Sequence, residues 1–261
     1  MPTPLLNCPP VTVADTLAGD AGVVDLWYWF YEPDLTDALV AAGTVWMSAD
    51  EHDRYRRLRF EPARRLFLAT RVLVREVLSR YASVAPEGWR FVADPAGKPR
   101  VAQPVVSPTL HFNLANTSGL VVCGVSTAHE AIGVDAERSD RPVDYTALAA
   151  RFFAPVEADD LRTLPPDRRP RRFFEYWTLK ESYIKARGLG LRLPLDQFAF
   201  AIDSERIRVS FASPALDDTH WRFASVHVGP DYLVAVGADT GGAALSLRAE
   251  AFAPAHLRGR P

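Results

Sequence analysis

Twice along this chain of 261 residues, helical periodicity gives way to strand periodicity. That alternation predicts an α+β protein made of two similar halves, each pairing helices with its own strands. In the first round, Val23–Phe30 is an apolar, aromatic strand with Asp25 inside it. Ser48 and Glu51 bracket a capping box, so a helix is expected to start there and to carry Arg54, Arg56, Arg57 and Arg59. Glu61-Pro62 opens a second helix, in which Leu66, Ala69, Val72, Leu73, Val77 and Leu78 recur at helical spacing. Strands follow at Trp89–Ala93, His111–Leu114 and Val121–Val125, with a turn from Asp94 to Pro99.

The second round opens on a strand, Ile132–Ala136, and continues with helices over Tyr145–Phe153 and Arg171–Arg187, the latter stopped by Gly188 and Gly190. Phe198, Phe200 and Ile202 alternate, as do Ile207, Val209 and Phe211, and Trp221–Val228 and Tyr232–Val236 make a hairpin around Gly229-Pro230-Asp231. The expected units are residues 1–127, 128–240 and a weakly patterned tail, 241–261, with an irregular leader over 1–20.

Composition narrows the function classes. Hydrophobic residues make up 48% of the chain and mean hydropathy is -0.07, enough for a sizeable core and against disorder as the main state. A net charge of -2 and a pI near 6.3 lack the long-range attraction that a dedicated nucleic-acid binder uses, though they permit a local basic pocket. The two cysteines, Cys8 and Cys123, are too few for a disulfide framework, and no Cys/His cluster suggests zinc. The first twenty residues hold four prolines and no Lys or Arg, unlike a secretory signal, and no apolar run reaches the ~18 residues of a membrane span. The expectation is a cytoplasmic protein acting without membrane or nucleic acid.

Of the 30 basic residues, only Lys98, Lys180 and Lys185 are lysine. A chain that writes nearly every cation as Arg makes each Lys an anomaly, because an ammonium is a compact point charge and a guanidinium a planar fork. Two of the three sit in Trp177-Thr-Leu-Lys180-Glu181-Ser-Tyr-Ile-Lys185, where helical spacing puts Trp177, Glu181 and Lys185 on one face. A plain Glu–Lys surface pair is one reading; a phosphate-directed lysine is the other. In Gly133-Val134-Asp135-Ala136-Glu137, strand alternation sends Asp135 and Glu137 to one face. These are either solvated carboxylates at a strand end or, joined by Glu181, three oxygen ligands for a hard divalent cation such as Mg²⁺, which readily completes its shell with substrate phosphates.

Those two segments, about forty residues apart, resemble the paired signatures of the Sfp-type 4′-phosphopantetheinyl transferases. Gly97-Lys98-Pro99, His111-Phe112-Asn113, Arg151-Phe152-Phe153 and Gly188 to Leu195 match accompanying segments of the family in the same order. The resemblance implies a pseudo-twofold pair of α+β halves with coenzyme A in the cleft between them. It implies transfer of the 4′-phosphopantetheine arm of coenzyme A to a serine of an apo acyl or peptidyl carrier protein, releasing adenosine 3′,5′-bisphosphate. Asp135, Glu137 and Glu181 would hold Mg²⁺; Glu181 would also activate the serine, directly or through a water; Lys185 would contact the diphosphate and ease departure of the leaving phosphate, with Lys180 nearby. Lys98 and Arg54 would contact phosphates of coenzyme A.

Asn116 stands where the family commonly has histidine, so contact with the 3′-phosphate would be weaker, or shared with Thr117 or an arginine. That departure supports the alternative of a non-catalytic protein binding coenzyme A or a carrier. Arg168, Arg169, Arg171 and Arg172 read first as a solvated loop and second as a contact for an acidic carrier. An internal pseudo-dimer gives a monomer reason to suffice.

Overall fold

The computed structural model describes residues 22–254, apart from 96, 191–192, 204–205 and 214–218. The expected leader, the last residues of the tail and Leu191-Arg192 of the glycine-leucine segment lie outside the described residues. In chain order the elements are β1 (Gly22–Trp29), α1 (Asp37–Trp46), α2 (Ala49–Arg57), α3 (Glu61–Leu78), β2 (Arg90–Ala93), β3 (Pro99–Gln103), β4 (His111–Thr117), β5 (Leu120–Ser126) and β6 (Ile132–Arg138). They continue with α4 (Tyr145–Phe152), α5 (Pro155–Thr163), α6 (Arg169–Arg187), β7 (Phe198–Ile202), β8 (Ile207–Phe211), β9 (Trp221–Val228), β10 (Tyr232–Asp239) and β11 (Leu245–Ala251).

The repetition seen in the sequence is a repetition of topology. Each half runs strand, long helix, hairpin, then two further strands, and the two sheets share one order: β1-β5-β4 in the first half and β6-β10-β9 in the second. The sheets pack face to face through Val24, Leu26, Val122, Val134, Ala136, Val234 and Val236. On the far side of the first sheet, α3 covers Val121, Cys123 and Val125 with Leu68, Val72 and Leu73. On the far side of the second, α6 covers Leu233 and Ala235 with Leu179 and Tyr183. Helix, sheet, sheet and helix thus form four layers around three apolar contacts.

The tail departs from expectation. Residues 245–251 form β11, which pairs in parallel with β1 from Gly22↔Leu245 to Tyr28↔Ala251, so this segment belongs to the first sheet. Asp25 holds it laterally: Arg248 Nε donates to Asp25 Oδ1 at 2.6 Å and Tyr81 Oη to Asp25 Oδ2 at 2.7 Å.

The predicted capping box is present, with Ser48 N donating to Glu51 Oε2 at 2.9 Å and Glu51 N to Ser48 Oγ at 3.3 Å. Glu51 does more than cap. Its carboxylate also accepts from Arg75 and, at 3.2 Å, from Arg71, joining α2 to α3. Burial alone would push the Glu51 carboxyl up, but Arg75 and Arg71 outweigh it and hold it below its ordinary value. A lowered folded pKa gives stability that is present above the unfolded value of about 4.3 and lost as pH falls through the folded value. Glu51→Gln is therefore expected to cost ~2–4 kcal/mol at pH 7, since it strands the buried Arg75. Urea denaturation at pH 7 and at pH 3.5 checks this, the difference from the native chain shrinking at the lower pH.

Candidate functional site

The site forms where α6 crosses the sheet of the second half. A Cβ at Gly133 of β6 would stand 2.0 Å from the Ser182 carbonyl and 2.4 Å from Ala186 N, so glycine is what lets helix backbone lie against strand backbone. Two residues along β6 on the same face is Asp135, and the facing turns of α6 carry Glu181 and Lys185. Lys185 Nζ donates to Asp135 Oδ1 at 2.7 Å. The helix spacing alone suggested a Glu181–Lys185 pair, but the lysine crosses to the strand.

The other oxygen, Asp135 Oδ2, is buried without a hydrogen-bond partner. An orphaned carboxylate oxygen beside further acids is costly unless a cation completes it. Burial raises the proton affinity of Glu181, with Asp135 and Glu137 adding to it and Lys185 opposing. Burial likewise raises that of Glu137, with Asp135 adding and Arg141 opposing. The three acids therefore share one electrostatic environment. Among the described residues, no three His, Cys, Asp or Glu side chains are gathered as a metal-binding cluster. In this arrangement Glu137 is engaged instead by Arg141 Nη1 at 3.0 Å and by Thr117 Oγ1 at 3.5 Å.

A cavity of about 240 Å³ lies against Glu181 and Lys185 and is lined also by Gly97, Lys98, Pro99, Asn113, Leu114, Ile184, Gly188 and Gly190. Lys98 and Pro99 also border a second cavity of about 480 Å³ on the side of His111 and Arg187. The expected residues Lys98, Glu181 and Lys185 thus converge on one space. Arg54 and Asn116 do not line it: Arg54 is exposed on α2 with its guanidinium 5.6 Å from the Phe67 ring centre, and Asn116 is exposed on β4. Asn113, in a segment matched for its family likeness, has a legible job. Its Oδ1 accepts from Val134 N at 2.8 Å and so bridges β4 of one sheet to β6 of the other.

Lys180 is a correction. The resemblance placed it near coenzyme A, but its side chain is fully buried and its ammonium meets Glu157 of α5 at 2.7 Å. It also donates to the carbonyls of Leu195 at 2.7 Å and Phe198 at 2.6 Å. Glu157 in turn accepts from Ala154 N at 3.0 Å and Phe200 N at 2.8 Å. Trp177, Glu181 and Lys185 follow one stripe of the helix, whereas Lys180 falls outside that stripe, facing α5 and β7. The arginine cluster is also largely committed: Arg169 donates to the carbonyls of Leu164 and Arg162, Arg171 pairs with Glu175, and Arg172 with Asp160 and Glu175.

Residues 131–237 match the model of the 4′-phosphopantetheinyl transferase superfamily. The chain is 33% identical to 4′-phosphopantetheinyl transferase Sfp of Bacillus subtilis, over 73% of this chain and 81% of that one. It is 38% identical to 4′-phosphopantetheinyl transferase HetI of Nostoc sp. over 56% of this chain, a match that spans 61% of that relative's length. The crystal structure of Thermotoga maritima holo-[acyl-carrier-protein] synthase has a TM-score of 0.34 at 20% identity, covering 41% of this chain and 61% of that chain. The protein belongs to the 4′-phosphopantetheinyl transferase superfamily. Among its described residues, no helix is long and apolar enough to cross a membrane.

If Lys180 is a structural ion, Lys180→Met leaves Glu157 buried and unpaired at a cost of ~3–5 kcal/mol, a fall in melting temperature on the order of 10 °C. Thermal denaturation followed by circular dichroism checks this. A shift under about 2 °C, as for a solvent-facing lysine, would contradict the assignment.

Proposed function

We propose that this protein transfers the 4′-phosphopantetheine arm of coenzyme A to a serine of an apo acyl or peptidyl carrier protein and releases adenosine 3′,5′-bisphosphate. The observation that carries the reading is that Lys185 and Glu181 line one cavity together with the Gly97–Pro99 turn, with Lys185 bonded to the half-satisfied Asp135 behind it. Family membership supports it. Transfer at a diphosphate needs negative charge balanced on the leaving oxygens and a positioned base for a weak hydroxyl nucleophile.

Lys185 supplies the positive charge. Its bond to Asp135 holds the ammonium at the cavity wall, about a third exposed, so it can donate to a diphosphate oxygen and stabilise the departing phosphate. Glu181, at the cavity wall one helical turn before Lys185, is placed to take the serine proton directly or through one water. The serine oxygen then forms the new bond to the phosphorus bearing the pantetheine arm, and the bond from that phosphorus to the bridging oxygen breaks toward adenosine bisphosphate. Mg²⁺ would be held by Asp135, Glu137 and Glu181 and would neutralise charge on the diphosphate when bound. The orphaned Asp135 Oδ2 and the mutually raised acids fit that cation better than they fit each other.

Lys98, with one of its three ammonium protons uncommitted to protein carbonyls, together with Arg54, Asn116 and Thr117, is the proposed contact set for the phosphates of coenzyme A. We further infer that a monomer suffices, because both walls of the cavity come from one chain, and that the protein works in the cytoplasm, where coenzyme A and carriers meet.

The test is incubation with coenzyme A, MgCl₂ and a panel of apo carrier proteins, read by intact-protein mass spectrometry. The native chain is expected to add one phosphopantetheine arm to at least one carrier. Asp135→Asn and Lys185→Met should each lower kcat/KM by about a hundredfold or more. Coenzyme A binding without transfer to any carrier would instead favour a binding protein of this fold.

A further inference from the structure

We infer that Lys98 is a positioning residue that latches the β2–β3 turn of the first half onto the β6–α6 junction of the second, and so fixes Glu181 and Lys185 for transfer. Its kinetic consequence rests on the transferase reading; its structural consequence does not. Lys98 Nζ donates to the Ile132 carbonyl at 2.9 Å and to the Ala186 carbonyl at 3.1 Å. Ile132 immediately precedes Gly133, and Ala186 immediately follows Lys185. The ammonium therefore grips the same junction at which Gly133 admits the backbone of α6.

The carbonyl it takes from the helix needs a partner. Ala186 lies in the last turn of α6, which ends at Arg187 with Gly188 in the left-handed region, and the Gly188 amide turns back to Lys185 rather than to Ala186. A cation placed on such a carbonyl satisfies it and complements the negative end of the helix dipole.

The turn that presents Lys98 is closed on itself. Asp94 N donates to the Lys98 carbonyl and Gly97 N to the Asp94 carbonyl, both at 2.9 Å, while Lys98 N donates to Asp94 Oδ1 at 2.9 Å. Gly97 sits at a φ of 91°, open to glycine and strained for other residues. The hydrogen bonds among Asp94, Gly97 and Lys98, a short chain of methylenes and two carbonyls from different elements make one latch across the cleft. The geometry also gives a reason for lysine in an arginine-rich chain. A tetrahedral ammonium reaches two carbonyls on separate elements within a tight junction, where a planar fork would need a wider gap.

The test uses the full chain with Lys98→Met and Asp94→Ala. Hydrogen exchange read by mass spectrometry is expected to rise about tenfold over residues 183–190 in Lys98→Met, and about threefold in Asp94→Ala, with exchange in α3 unchanged. In carrier modification assays Asp94→Ala, which keeps the Lys98 ammonium but loosens the turn that presents it, should lower kcat about threefold, with KM for coenzyme A within twofold of native. The preference for coenzyme A over dephospho-coenzyme A should also be preserved. Native exchange at 183–190 in both variants, or a raised KM with kcat intact, would overturn the latch and leave Lys98 a plain phosphate ligand. If Lys98→Met does not fold, the exchange of Asp94→Ala decides. If the native chain modifies no carrier, the transferase reading fails and the exchange result alone judges the latch.

Discussion

Everything at the candidate site depends on how closely α6 lies against β6. Gly133 faces the helix with its backbone, and its register partner on β10 is Gly237, beside which Ser182 Oγ and the Phe223 ring also pack. Two glycines side by side across the sheet make a smooth patch, and the helix rests on it at Ser182. Asp135 then stands opposite Lys185, and Glu181 faces the cavity one turn away. A larger residue at Gly133 would have to displace main chain rather than a flexible side-chain end, because the nearest atoms are the Ser182 carbonyl oxygen and the Ala186 nitrogen. Close-packed interiors accommodate that poorly.

Buried charge fixes the helices to their halves in a matching way. In the first half, Glu51 is the N3 residue of α2, closes a capping box, and pairs with Arg75 on the long helix α3. In the second, Glu157 is the N3 residue of α5, reaches back to the Ala154 amide, and pairs with Lys180 on the long helix α6. Each glutamate thus ties a short helix to the long one that covers the sheet. Such pairs gain little over apolar packing because both charges are desolvated, but losing one partner leaves a buried ion, so the arrangement tolerates few alternatives. The three lysines divide accordingly: Lys180 braces α6 from behind, Lys98 meets its C-terminal end, and Lys185 faces the cavity.

Local patterns were legible in the sequence and distant partners were not. Alternation along β6 correctly separates Val134 and Ala136, in the inter-sheet core, from Asp135 and Glu137 on the helix side. The Ser48–Glu51 capping box and the Gly188 stop are likewise short-range signals that hold. The direction of Lys180 was not legible, because its partner Glu157 comes from another helix and nothing in the local spacing couples them. Lys185 shows the same limit: its favourable helical neighbour is Glu181, yet a carboxylate fifty positions away in sequence takes the bond. β11 was missed because its pairing with β1 joins the two ends of the described chain, and α1 because it buries only Leu39 and Gly43 and so shows little periodicity. The family likeness suggests roles for the acids and lysines; the geometry puts Lys98, Glu181 and Lys185 at the cavity and Lys180 behind the helix.

The bare backbone of Gly133 lets α6 bring Lys185 and Glu181 to Asp135. Gly133→Ala tests it most directly, with melting temperature and carrier modification measured on the same preparation. The expected result is a loss of ~2–3 kcal/mol in stability, seen as a melting temperature lower by about 4–12 °C, with transfer falling at least tenfold in the protein that remains folded. A variant with native melting temperature and native transfer rate would contradict the account.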